Sequence, residues 1–178
     1  YASVGEVVET GKAVKGIKGG DIVACSAPHQ EENVINAEDA VVLPKDIPPE
    51  KGILLTNLIT AYNGIMDTHI NLGDVVVISG LGVLGQLLVQ MARMSGAHKV
   101  YGIDMIEKRR AAALENGCDR VFDPSEQDVA LEIRRLTGNR GADKVIEASG
   151  NAKALNEAIR IAAPDTTVTA LAWYQGAL

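Results

Sequence analysis

Gly80-Leu81-Gly82-Val83-Leu84-Gly85 forms a GxGxxG pattern. It directly follows the β-branched run Val75-Val76-Val77-Ile78-Ser79 and directly opens a helical segment, the context in which this motif carries chemistry. Gly80 permits a tight turn, Gly82 lets the backbone approach a pyrophosphate, and Gly85 lets the helix pack close to the strand. The free N–H groups and the positive dipole end of the helix then face the phosphates. The alternative is a strand-to-helix turn with no ligand. Asp104 ends the next strand-like run about 20 residues beyond the motif, where an acid accepts hydrogen bonds from the adenosine ribose hydroxyls. A carboxylate there repels a 2′-phosphate, which predicts NAD rather than NADP; nearby Arg109 partly offsets it. The alternative for Asp104 is a solvated acid capping the following helix.

The elements that must hold these residues alternate along the chain. From Gly73 onward, strands are expected at 75–79, 99–104, 120–122, 145–148 and 167–171. Helices are expected at 84–95, 107–116, from a Ser125 cap to Leu136, and at 152–162. Five strands alternating with helices predict an α/β Rossmann fold, a doubly wound parallel sheet covered on both faces. Residues 3–47 read differently: Val4–Glu9, Ile22–Cys25 and Ala40–Leu43 are strand candidates separated by turn signals. Pro48-Pro49-Glu50 predicts a helix start, with a helix to about Met66 and weak points at Gly52 and Gly64. The expected organisation is therefore a β-rich segment over 1–47, a linker helix within 48–72 and the sheet domain over 73–178.

Composition excludes several other classes. The net charge is −6 and no Lys/Arg run makes a phosphate-tracking stripe, which argues against nucleic acid. Lys108-Arg109-Arg110 is the longest basic cluster, and a helix would spread it around its axis. Cys25 and Cys118 are far apart and belong to no CxxC pattern, so neither a disulfide framework nor a zinc site is expected. No apolar stretch approaches 20 residues, so membrane spanning is not expected. With no signal peptide legible, a cytoplasmic location is the expectation. The chain starts at Tyr1 without methionine and ends just after a strand, so both ends read as cut.

These motifs together resemble the medium-chain dehydrogenase/reductase superfamily, the group of the zinc alcohol dehydrogenases. Gly5, Gly11 and Gly20-Asp21-Ile22-Val23 are similar to the second half of its GroES-like catalytic domain. Thr60-Ala61-Tyr62 is similar to its linker helix, and Gly73-Asp74-Val75-Val76-Val77 with the glycine motif to the start of its Rossmann domain. The resemblance implies that Arg109 reaches the adenosine ribose and that Ser149 and Gly150, in Ala148-Ser149-Gly150, line the cofactor. It also implies that Leu171 lies beside the nicotinamide and that Thr60 contacts it. A sixth Rossmann strand is missing from 73–178. In many relatives that strand pairs across a dimer interface, so the resemblance allows a homodimer.

The departures from the family pattern are specific. The places of two zinc ligands and the intervening glutamate fall on Tyr1, Thr56 and Ala2, which are not metal donors. No four-cysteine lobe follows Asp21. The resemblance is therefore to a zinc-independent branch, and Tyr1 with Ala27-Pro28-His29 is similar to its bacteriochlorophyllide-dehydrogenase-like members. Without zinc, hydroxyls and a histidine are the candidates for polarising a carbonyl or moving a proton. Tyr1, Thr56 and His29 are the catalytic candidates; the alternatives are a packing tyrosine and an ordinary loop histidine. The implied function is NAD(H)-dependent hydride transfer with a small alcohol or carbonyl substrate. The competing readings are a non-catalytic or truncated dinucleotide-binding module, and a nucleotide-binding enzyme of another class such as a methyltransferase.

Overall fold

The computed structural model describes residues Ala2–Tyr174. The chain divides into two compact units, Tyr1–Ile59 and Thr60–Leu178.

In the first unit, β1 (Ser3–Glu6), β2 (Ile22–Cys25) and β3 (Val41–Val42) form an antiparallel sheet in that order. Ser3 pairs with Cys25 and Ala24 with Val41. The expected strands 4–9 and 40–43 are shorter here, and beyond β3 Leu43 N makes one further bond, to Ile22 O at 2.8 Å. Val7 continues the edge through one bond to Asp21. The expected helix from Pro48 is broken in two. α1 (Pro49–Gly52) is a single turn, and α2 (Leu55–Thr68) begins after Ile53–Leu54. Gly52 is buried against Leu43 and Val4, where a Cβ would lie 2.3 Å from Leu43 Cδ1. The weak point at Gly52 is thus a packing site.

The second unit is built on five parallel strands: β4 (Val75–Ser79), β5 (Lys99–Ile103), β6 (Arg120–Phe122), β7 (Lys144–Glu147) and β8 (Val168–Ala170). Their order is β6-β5-β4-β7-β8. The helices are α3 (Val83–Met94), α4 (Glu107–Glu115), α5 (Val129–Leu136) and α6 (Ala152–Ile161). This is the doubly wound parallel sheet that the alternation predicts. Along β4, successive side chains point to opposite faces. Val76 and Ile78 pack with Leu88, Val89 and Ala92 of α3. Val77 packs on the other face with Ile133 of α5 and Ile161 of α6. Both faces are covered, which is why β4 reads as an unbroken apolar run rather than an alternating one.

Two local expectations are corrected. α2 runs on to Thr68, whose hydroxyl donates 2.6 Å to the Gly64 carbonyl and accepts from Thr169 Oγ1 at 2.9 Å. Gly64 sits inside the helix because Leu171 packs on it, 2.8 Å from where a Cβ would be. Ser125 does not cap α5. Asp128 does, accepting from Leu131 N at 3.1 Å, while Ser125 donates its backbone and hydroxyl to Asp123.

Asp119 is the main polar anchor behind the sheet. It accepts from Arg93 at 2.5 Å, Lys99 Nζ at 3.0 Å and Val100 N at 2.8 Å. Burial pushes its carboxyl up, but the Val100 N–H and the Lys99 and Arg93 side chains outweigh this and hold it below the usual carboxylate range. A depressed folded-state value stabilises the protein above the unfolded pKa of about 4, and that stability is lost as pH falls through the folded value. The difference in melting temperature between wild type and Asp119→Asn should therefore be largest near neutrality and shrink below about pH 4. A difference independent of pH would show that the carboxylate charge is not what anchors β5. Beside it, burial first and then Asp119 push the Cys118 thiol up to about 12, which makes it a core residue rather than a reactive one.

Candidate functional site

The chemistry-bearing residues of the second unit gather at the carboxyl edge of its sheet. Between β4 and β7 the direction of strand progression reverses, and a crevice at such a switch point is where parallel α/β sheets bind ligands. The turn leaving β4 forms one wall. Gly80 has φ +91°, and a Cβ there would lie 2.7 Å from Ser149 N and 2.8 Å from Ser149 Cα. Only glycine meets both demands, the left-handed backbone and the contact with the neighbouring chain. At Gly85 a Cβ would fall 2.0 Å from the Gly80 carbonyl oxygen, so this glycine lets α3 start hard against the turn.

Gly82 is different. It is the N-cap of α3 with φ −68° and ψ −162°, and a Cβ would meet nothing within 4 Å. No side chain caps α3 there. The first-turn N–H groups of a helix lack intrahelical partners, so those at Val83 and Leu84 are placed to receive an anion. Leu81 points the other way, its side chain fully buried in the core. Gln86 braces the turn by donating to Leu81 O at 3.0 Å and Arg109 O at 2.9 Å, and accepts from Asn116 at 2.9 Å. None of these bonds is legible in the sequence, because nothing local to Gln86 records that Arg109 and Asn116 are its neighbours.

Asp104 follows β5 and is 9% exposed. Its carboxylate accepts from Leu81 N at 2.9 Å and Ile106 N at 2.8 Å, with Arg109 at 3.4 Å. The capping alternative is thus realised in part, since Ile106 is the N-cap of α4. More consequentially, Asp104 ties the end of β5 to the glycine turn itself. A carboxylate has about four lone-pair sites, which leaves room for a ribose hydroxyl beside these donors. Arg109 is half-exposed at the rim. Arg110, read in the sequence only as part of a basic cluster, pairs with Asp123 at 2.7 Å and donates to Asp104 O at 2.8 Å.

The far wall comes from the loop after β7. Glu147 is wholly buried. Its Oε1 accepts from Ser149 N at 2.8 Å and from the Ser149 hydroxyl, and its Oε2 from Gly150 N at 3.3 Å and the Tyr174 hydroxyl. Burial, then Glu147, raise the Tyr174 phenol above its ordinary range. Leu171 N donates 2.8 Å to Glu147 O at the end of β8. The structure thus brings Gly80–Gly85, Asp104, Arg109, Ser149, Gly150 and Leu171 to one sheet edge. Thr60 lies on α2.

The catalytic candidates belong to the first unit. Thr56 lines a small cavity of about 150 Å³ with Ser3, Cys25, Ser26 and Asp39. His29 is exposed and is not part of that lining. Tyr1 lies outside the described residues. Among the described residues, no three His, Cys, Asp or Glu side chains form a group able to hold a metal. The cavity offers one thiol and one carboxylate beside hydroxyls, which does not fit the three- or four-donor tetrahedral set of zinc.

Residues 83–178 match the family model described as zinc-binding dehydrogenase. The chain is 36% identical over 173 residues to D-guloside 3-dehydrogenase of Shigella flexneri, covering 96% of this chain and 49% of that protein. It is 32% identical over 202 residues to L-threonine 3-dehydrogenase of Pyrococcus abyssi, covering 97% and 58%. A solved structure from Sinorhizobium meliloti 1021, named as a zinc-binding dehydrogenase and bound to NADP, superposes with a TM-score of 0.88 at 27% identity, covering 98% of this chain and 61% of the other. The chain spans about half the length of the curated relatives it matches.

Proposed function

Since the chain belongs to the zinc-binding dehydrogenase family of the medium-chain dehydrogenase/reductases, we propose that it forms the dinucleotide-binding part of an NAD(H)-dependent oxidoreductase. The reaction is hydride transfer between the nicotinamide and an alcohol or carbonyl carbon. The observation that carries this reading is the β4–α3 turn: Gly80 and Gly85 pressed into backbone, Gly82 left open before an uncapped helix. In the proposed pose the pyrophosphate lies over Gly82 and receives the Val83 and Leu84 N–H groups. Asp104 and Arg109 take the adenosine ribose. Ser149, Gly150, Leu171 and Thr60 flank the nicotinamide. The bound nicotinamide supplies the hydride acceptor or donor, and the chain supplies position and electrostatics.

A buried Asp104 carboxylate beside the ribose site favours NAD, because a 2′-phosphate would be forced against its charge. We take the site to work without zinc, on the donor set around Thr56. Thr56, His29 and Tyr1 are proposed to move the substrate proton. The relatives named for dehydrogenation at position 3 support a hydroxyl-bearing carbon within a polar molecule as the reacting centre. The proposed layout is a GroES-like segment over 1–47, a linker over 48–72 and the Rossmann domain over 73–178. Homodimerisation and a cytoplasmic location belong to the same reading; no described helix is long and apolar enough to cross a membrane.

Calorimetric titration of the full-length protein tests the cofactor assignment. NADH is expected to bind about tenfold or more tightly than NADPH, a difference of about 1.4 kcal/mol or more. Turnover with secondary alcohols should survive exhaustive chelation. Preference for NADPH, or activity abolished by a chelator and restored by zinc, would overturn the respective assignment.

A further inference from the structure

We infer that Glu147 is a positioning residue that latches two loops of the crevice together, the one after β7 and the one after β8, and so shapes the nicotinamide half of the cofactor site. The inference rests on the dinucleotide reading above and deepens it. A dinucleotide laid along the carboxyl edge from Asp104 on β5, across the glycine turn on β4, continues over β7. The surface it meets there is Ser149-Gly150, and Glu147 is what holds that surface. All four donors on its carboxylate belong to these two loops: Ser149 N, Ser149 Oγ and Gly150 N from the first, the Tyr174 hydroxyl from the second. The two loops also touch directly. Gly150 has φ +73°, and a Cβ there would lie 2.9 Å from Trp173 O.

The placement of Ser149 is therefore determined from two sides. Gly80 abuts its backbone from the glycine turn, and Glu147 grips its N–H and hydroxyl from below. A wholly buried carboxylate whose bonds all run to loop groups adds nothing to the sheet ladder, which the main chain makes by itself. Glutamine at 147 offers one acceptor oxygen and an NH₂ group. Either Ser149 or Gly150 then faces a donor with its own backbone N–H, which cannot turn away. Phenylalanine at 174 is milder: it removes the tie to the second loop and leaves the carboxylate, Ser149 and the strands in place.

The test compares two probes on the full-length protein, NADH and ADP-ribose, which lacks the nicotinamide. Loss of a hydrogen bond to a carboxylate translates to about tenfold. Glu147→Gln and Tyr174→Phe should each weaken NADH about tenfold and diminish the fluorescence enhancement of bound NADH, with ADP-ribose affinity held within about twofold. NADH affinity unchanged in both variants overturns the latch. So does a parallel loss of NADH and ADP-ribose, which would make Glu147 a general fold anchor. If Glu147→Gln does not fold, Tyr174→Phe decides alone by the same criteria. Wild-type protein that binds neither probe overturns the cofactor reading itself, and the latch with it.

Discussion

A Gly82→Ala variant is expected to melt within about 2 °C of wild type yet to bind NADH roughly tenfold to a hundredfold more weakly. The backbone at Gly82 is extended, a conformation alanine adopts freely, and the added methyl meets nothing within 4 Å. Substitutions at open positions cost about 0.5 kcal/mol or less, so stability should barely move. Overpacking arises only when a pyrophosphate is pressed against the new methyl, a penalty of about 1–3 kcal/mol. Gly80→Ala is the contrast. Its φ of +91° costs about 1–2 kcal/mol for any residue with a Cβ, and the methyl would lie 2.7 Å from Ser149 N. That variant should melt about 5–15 °C lower and lose NADH binding as well. Full NADH affinity in Gly82→Ala would mean that no phosphate approaches this turn.

Asp104→Ala should abolish NADH binding without creating NADPH binding. A carboxylate that only repelled a 2′-phosphate would, once removed, relax the preference. Here it also holds Leu81 N inside the glycine turn and Ile106 N at the start of α4. Leu81 N lies in a buried place, and a buried N–H left without a partner costs about 1–3 kcal/mol, so the turn that cradles the phosphates is disturbed along with the ribose site. Arg109→Ala, by comparison, removes a half-exposed side chain 3.4 Å from Asp104 and should leave stability nearly unchanged. Thermal melting with paired NADH and NADPH titrations of both variants checks this. NADPH binding gained in Asp104→Ala would show that the turn keeps its shape without the carboxylate and that Asp104 is a selectivity residue alone.

Much of this architecture is written locally in the chain. Val75–Ser79 announces a strand buried on both faces because it must satisfy two apolar layers at once. Gly80 and Gly85 announce the turn because no other residue tolerates its geometry, and repeated strand-helix alternation leaves few topologies besides a parallel doubly wound sheet. Gly52 was legible as a weak point of the expected 48–66 helix, but its packing against Leu43 and Val4 was not, because those partners lie in other elements. Nor was the shift of the α5 cap from Ser125 to Asp128, where two capable side chains compete within four residues and Asp123 draws the serine away. Asp104 could be read as an acid at a strand end, but not as a partner of Leu81. Nothing in the local chain marks Glu147 as a partner of Tyr174. Those pairings depend on strand order β6-β5-β4-β7-β8, which brings together residues far apart in sequence. What the sequence determined by itself are the features each residue imposes on its own backbone, the elements and the glycine turn. Only the tertiary structure decided which side chains close the site, because a hydrogen bond forms between groups that the fold makes neighbours, and nothing in the local chain records which neighbours those are.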